Sequence, residues 1–273
     1  MRMIPLTGFP RSGSTLLLSI LNQNPIFECG DDSEIGHLLH NSISFIQSNI
    51  SHFQLDNRVV EKAFINYCNA GINAWVDTIC KEDKIFIDKS RHWTNFLDLY
   101  FKIIKDTKVI FIIRDLRGIA NSFEKIRCKS MYYNSNDNNV NVNNDSALIQ
   151  RSMQTLSIQY VESAIHAAKL IKETNFPNKN EIYFCRYEDL VKNPNDELNK
   201  IYNFLGLDSF QHNFNSIQQK DFNDNPYQPW GNHKIENEIK YKEDQFTFLD
   251  EKTEKYIIEN YKWFYEIFYP EIT

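Results

Sequence analysis

The chain has 273 residues, enough for one large α/β domain with a sizeable core. Hydrophobic residues make up 42% and charged residues 24%, which excludes a disordered chain. The 36 acidic side chains outnumber the 30 basic ones, and the net charge of -6 excludes a protein that mainly coats nucleic acid.

No stretch approaches the roughly 18 apolar residues needed to span a bilayer. The apolar run at Met1–Leu6 is too short for a leader, and Gly8 and Arg11 interrupt it at once. Cys29, Cys68, Cys80, Cys128 and Cys185 are widely spaced, odd in number and form no CxxC pair. That pattern predicts neither a zinc site nor a disulfide framework, and with the missing leader it predicts a reducing, cytoplasmic setting.

In chain order, Met3–Thr7 reads as a short buried strand that runs into a Gly-rich turn. Ser14–Asn22 is a helix that stops before Pro25. Val59–Ile79 carries apolar residues at helical spacing (Val60, Phe64, Tyr67, Ile72, Trp75, Ile79). His37 and His40 sit one turn apart on a further predicted helix. Lys84–Asp88 is a short strand and Phe96–Ile104 a helix. Lys108–Ile113 is the clearest strand, apolar on both faces as a central parallel strand is, and Leu116–Ile126 is a helix directly after it. Asn134–Asp145 is nearly all Asn, Asp and Val and reads as a loop. Leu148–Thr174 reads as one long helix, Glu181–Cys185 as a strand, and Pro194–Leu205 as a helix closed by Gly206. Ser209–Lys242 reads as a long polar loop, and Asp250–Phe268 as a single closing helix with an aromatic stripe. Strands alternating with helices predict an α/β fold whose central parallel sheet is flanked by helices, within one domain spanning 1–273.

The turn Gly8-Phe9-Pro10-Arg11-Ser12-Gly13-Ser14-Thr15 lies between a strand and a helix. Backbone N–H groups and the helix N-terminus make this a place for an anion. The spacing nearly satisfies the nucleotide-binding pattern G-x-x-x-x-G-K-[ST], but Ser14 stands where the lysine belongs. A kinase or ATPase would need that lysine for its γ-phosphate. Here the chain resembles the sulfotransferases that use 3′-phosphoadenosine 5′-phosphosulfate (PAPS). Arg11, Ser12, Gly13, Ser14 and Thr15 match their 5′-phosphosulfate loop. The donor carries no γ-phosphate, so the missing lysine fits the resemblance.

Arg114 ends the strongest strand, and Ser122 lies eight residues on, about two helical turns into the next helix. An Arg fork and a hydroxyl suit a phosphate monoester, although Arg114 could instead pair with Asp115. The pair resembles the family's 3′-phosphate site. The segment from Arg186 to Val191 is similar to a further shared one, which implies that Tyr187 lies beside the nucleotide; a core or capping role is the alternative.

Cys29-Gly30-Asp31-Asp32-Ser33-Glu34 gathers three carboxylates and resembles the Cys-Gly-Glu-Glu-Thr segment of the tyrosylprotein sulfotransferases. The resemblance implies Asp32 as the base that takes the acceptor's proton, one methylene shorter than the family's Glu. Glu34 is the alternative, and a helix-capping role for these acids also fits their type. Lys89, in Ile87-Asp88-Lys89-Ser90, resembles the lysine that contacts the transferred group; otherwise it is a surface lysine. His92 is a minor candidate base. The Gly231–Lys234 stretch lies where relatives reach back to the nucleotide, but it lacks their Arg-Lys-Gly motif.

Together the resemblance implies a P-loop-like, three-layer fold and transfer of a sulfuryl group from PAPS, with the bisphosphate PAP as product and no metal. Arg11, Lys89 and Asp32 would carry the chemistry. The acceptor would be a small molecule, a sugar or a peptide, and neither nucleic acid nor a membrane span is expected. A P-loop small-molecule kinase and a non-catalytic PAP- or PAPS-binding protein are the alternatives.

Overall fold

The computed structural model describes residues 2–31, 33–49, 56–81, 83–129, 145–219, 235–239 and 246–273. Five parallel strands form one sheet: β1 (Met3–Gly8), β2 (Phe27–Asp31), β3 (Ile85–Lys89), β4 (Val109–Ile113) and β5 (Ile182–Arg186). Their order is β2-β3-β1-β4-β5. The chain leaves β1 for the edge, returns at β3 on one flank of β1, then crosses to β4 on the other. In such sheets the crevice that binds ligands opens where the order reverses, beyond the carboxyl ends of the strands. Here that is the end of β1.

Alternation along the strands explains the layers. Val109, Phe111 and Ile113 of β4 join one hydrophobic cluster, while Ile110 and Ile112 join the other. A strand buried on both faces needs helices on both sides. One face is covered by α1 (Ser14–Leu21) and, later in the chain, Pro194–Leu205, through Leu17, Leu18, Ile20, Leu198, Ile201 and Tyr202. The other carries α2 (Ile35–Asn49), α3 (Asn57–Ile79), α4 (Leu97–Ile103) and α5 (Leu116–Lys129). It also carries α6 (Asp145–Leu156) and α7 (Gln159–Glu173). Short helix α8 (Tyr187–Lys192) leads into α9 (Pro194–Leu205), with Pro194 in its first turn and Gly206 closing it at φ 72°.

Two predicted helices are each two. The reading over 148–174 divides into α6 and α7 because Ile158 turns extended (φ -66°, ψ 144°) and the Ser157 hydroxyl donates back to Met153 O at 2.9 Å. The closing segment divides into α10 (Glu251–Asn260) and α11 (Lys262–Phe268) at Tyr261, whose φ and ψ are -114° and 32°. The stretch around Cys29 is the edge strand β2, and α2 starts only at Ile35, with the Ser33 hydroxyl accepting the Ile35 N–H at 3.4 Å. The Asn-rich run lies outside the described residues up to Asn144, and Asp145 opens α6. Of Ser209–Lys242, residues 209–219 and 235–239 are described and hold neither helix nor strand. No helix among the described residues is long and apolar enough to cross a membrane.

Candidate active site

The loop after β1 is shaped by two glycines and one arginine with left-handed backbone. At Gly8 (φ 130°) a Cβ would stand 2.0 Å from Ile112 O, so only glycine lets β1 and β4 approach this closely. The Phe9 N–H donates to the same Ile112 O at 3.1 Å. Arg11 (φ 62°) and Gly13 (φ 84°) then fold the chain back, and α1 begins at Ser14 with no side-chain cap. The first N–H groups of α1 are left for a ligand or water. Fully buried Ser12 donates its hydroxyl to Phe9 O at 2.5 Å, so that hydroxyl holds the loop's shape.

The second predicted anion site converges on this loop. Arg114, just beyond β4, donates from Nη1 to Arg11 O at 2.8 Å. Its guanidinium lies 4.4 Å over the Tyr187 ring. The Arg11 Nε donates to Ser122 Oγ at 3.2 Å. Tyr187 in turn fills the space beside Gly13, where a Cβ would meet Tyr187 Cδ2 at 2.5 Å. Arg11, Gly13, Arg114, Ser122 and Tyr187 therefore form one cluster. Arg114 is stacked and not paired with Asp115, whose carboxylate is taken by Arg117 at 2.6 Å. The buried Arg114 Nε has no hydrogen-bond partner among the described residues. It lies against Gly118, where a Cβ would be 2.8 Å away.

Like charges converge on Arg11. Burial lowers the Arg11 pKa, and repulsion from Arg114 and Arg91 lowers it further. Arg91 was not singled out from the sequence. It sits in the 3₁₀ turn after β3 (Arg91–Asn95), with its guanidinium 5.3 Å over the Tyr160 ring. Three guanidinium groups whose charges oppose one another suit a polyanion.

Lys89 ends β3, in register with Leu6 of β1 and Asp31 of β2. Its Nζ donates to Thr15 Oγ1 at 3.2 Å, so the ammonium lies at the start of α1, against the loop, and is no plain surface lysine. Next to it, fully buried Asp88 ties two segments together. Its Oδ1 accepts the Ser33 N–H at 3.1 Å and its Oδ2 accepts Trp93 Nε1–H at 2.7 Å. Sequence reasoning passed over Asp88, whose partners are Ser33, 55 residues away, and Trp93, five residues on but across a strand-to-turn junction.

Asp32 lies outside the described residues, as does Gly231–Lys234. Glu34 has φ 61°, and its side chain is 63% exposed and bonded to His37 Nδ1. The His37 ring stands 3.7 Å from the His92 ring, which meets Tyr160 edge-on at 5.9 Å. Gly36 permits this, since a Cβ there would be 2.7 Å from His92 Cβ. The two alternative bases thus share one cluster beside the Lys89 strand end. Among the described residues no group of three or more His, Cys, Asp or Glu could hold a metal ion.

The model described as "Sulfotransferase family" matches residues 4–212, well over half of the chain. A curated relative from Caenorhabditis briggsae, named as a putative protein-tyrosine sulfotransferase, is 24% identical over 204 residues. That match covers 73% of this chain and 64% of the relative, so the chain spans less than two thirds of the relative's length. Among solved structures, the sulfotransferase domain of the olefin synthase of Synechococcus PCC 7002 is 18% identical with a TM-score of 0.47, covering 77% of this chain and 74% of that one. A sulfotransferase domain from the curacin biosynthetic pathway is 17% identical with a TM-score of 0.49, covering 77% and 75%.

Proposed function

The chain belongs to the sulfotransferase family, and from that premise we propose that it transfers a sulfuryl group from PAPS to a hydroxyl or amine acceptor. The observation that carries the donor assignment is the buried Arg114 Nε, without a partner among the described residues, in a cluster with Arg11, Ser122 and Tyr187. A buried charged donor without an acceptor is costly, and a phosphate oxygen would satisfy it. The residues present fit the donor.

PAPS supplies the sulfuryl group, held on its 5′-phosphate through an anhydride oxygen. The chain's residues do the rest in this reading. The N–H groups of Ser12, Gly13, Ser14 and Thr15, with Arg11, hold the 5′ end at the start of α1. Arg114 and Ser122 hold the 3′-phosphate, and Tyr187 walls the adenosine side. The compact ammonium of Lys89, placed at Thr15, steadies negative charge on the transferred group as it leaves the 5′-phosphate. Asp32 takes the acceptor's proton, with Glu34 or His92 as alternatives. No step calls for a metal ion. The acceptor is a small molecule, a sugar or a peptide; the relative's protein-tyrosine name supports the peptide. We read residues 1–273 as one domain.

Calorimetric titration with adenosine 3′,5′-bisphosphate, set against ADP and ATP with and without Mg²⁺, tests the reading. Tight binding of the bisphosphate, lost in Arg114→Ala, is expected. Preference for ATP with Mg²⁺ would overturn it in favour of a kinase. Binding with no turnover of PAPS over a panel of hydroxyl and amine acceptors would leave a nucleotide-binding protein.

A further inference from the structure

The family match ends at residue 212, yet Phe248, Tyr265 and Tyr269 hydrogen-bond Asn121, Asp115 and Glu188, each next in the chain to a residue of the cluster. The ladder between β4 and β5 closes at Ile113↔Arg186. The next residues along are Arg114 and Tyr187, which face one another at 4.4 Å beyond the last paired position. Past that point a side chain continues the work of the ladder. Glu188 Oε1 accepts the Asp115 N–H at 3.0 Å, which bridges the residue after Tyr187 to the residue after Arg114.

Both carboxylates are fixed from the C-terminal segment. The Tyr269 hydroxyl donates to Glu188 Oε2 at 2.8 Å, and the Tyr265 hydroxyl donates to Asp115 Oδ1 at 2.9 Å. The two tyrosines lie four residues apart, at α11 and its end. Asp115 is buried and Glu188 half-buried, and each would be freer to rotate without such a donor. Arg117 completes the set by pairing with Asp115 at 2.6 Å and Glu254 of α10 at 3.2 Å.

We infer that the Tyr269–Glu188 and Tyr265–Asp115 bonds make the C-terminal helix a positioning element of the donor site, setting the distance between Arg114 and Tyr187 and so the fit of the 3′-phosphate. This rests on the donor reading above. Neither tyrosine touches the donor; both act through a carboxylate one residue away from a donor-site side chain.

The test removes two oxygen atoms. In a Y265F/Y269F double variant the buried rings stay and only the hydroxyls are lost. Affinities for adenosine 3′,5′-bisphosphate and for adenosine 5′-monophosphate, which lacks the 3′-phosphate, are measured by calorimetry on the full chain. The bisphosphate is expected to bind tenfold or more weakly than to the unaltered chain, and the monophosphate less than threefold more weakly. Equal weakening of both ligands, or none despite a lowered Tm, would overturn the inference, because a merely stabilising contact does not discriminate between them. Glu188→Gln, which keeps the side chain's size, decides the matter by the same ratio if the double variant does not fold. An unaltered chain that binds neither ligand would sink the donor reading itself, a result distinct from any ratio between variant and parent.

Discussion

The two walls of the crevice are built differently. On the wall proposed for the donor, Arg11, Arg114, Ser122 and Tyr187 are linked by two hydrogen bonds and one stacking contact, and each sits within three residues of a strand end or inside a helix. On the wall proposed for the acceptor, the Glu34 side chain is 63% exposed and bonds His37, whose ring stands against that of His92. In the proposed reading, the groups that meet the nucleotide donor are preorganised by the sheet, and those that would meet the acceptor sit on the segments between sheet and helix, where sequence can vary without disturbing the core.

Arg114→Ala sharpens the contrast most. Truncating a buried charge that meets a phosphate costs about 3 kcal/mol, roughly a hundredfold in affinity for adenosine 3′,5′-bisphosphate by calorimetry. A loss under threefold would mean that the donor wall is not where the phosphate binds. Lys89→Met is expected next. The lysine touches both walls, through Thr15 on one side and the β2 register on the other. We expect kcat to fall about a hundredfold while bisphosphate affinity changes little, since its charge acts on the transferred group. A drop in affinity as large as that in kcat would reassign Lys89 to donor binding.

Asp88→Asn probes the acceptor wall alone. The new amide would present N–H toward Trp93 Nε1–H, or else toward the Ser33 N–H, leaving one buried donor unpaired. Chemical denaturation should show a loss of about 2 kcal/mol. Turnover should fall while the bisphosphate binds as before. If bisphosphate binding falls in step with turnover, the walls are not separable.

Acid should loosen the donor wall from beneath. His212 is 7% exposed, and its Nε2 meets the Tyr202 hydroxyl, which accepts from Asn24 Nδ2 just past α1. Burial lowers its pKa to about 4 from 6.5, against a backbone bond to Ile20 of α1. The unfolded chain then binds a proton that the folded chain refuses, so stability falls as pH drops through 6.5 toward 4, by at most about 1.4 kcal/mol per pH unit. His212→Gln should flatten the Tm-against-pH curve in that window; an unchanged slope would assign the acid sensitivity to other groups.

How much of this was readable beforehand follows the range of the interactions. Strand β4 and helix α9 were placed within a residue, because apolar runs, Pro194 and Gly206 are local signals. The donor residues were readable as two short motifs, and the fold brings them together. Edge strand β2 was missed: it is five residues long, contains Gly30, and buries only alternate side chains at Phe27 and Cys29. The breaks at Ile158 and Tyr261 were missed because their backbone turns are set by tertiary packing and not by Gly or Pro. Arg91, the tie from Asp88 to Ser33, and the Tyr265 and Tyr269 hydroxyls were missed for a common reason. Their partners lie up to 150 residues away, so no spacing rule announces them.

The smallest expected effect lies on neither wall. Gly71 is in the middle of α3, with nothing within 4 Å of where its Cβ would stand. A glycine there keeps more backbone freedom in the unfolded chain than alanine and gains nothing from space the fold does not use. Gly71→Ala should therefore raise stability by about 1 kcal/mol, a Tm shift of about 2 °C for a chain of this size. Bisphosphate affinity and turnover should not move. Contrast Gly13→Ala, where φ 84° and the Tyr187 ring at 2.5 Å leave no such space: there both stability and donor affinity should fall. The two glycines differ in backbone conformation and in what surrounds them. If Gly71→Ala altered donor affinity, α3 would be coupled to the crevice, and the division into a built donor wall and a freer remainder would fail.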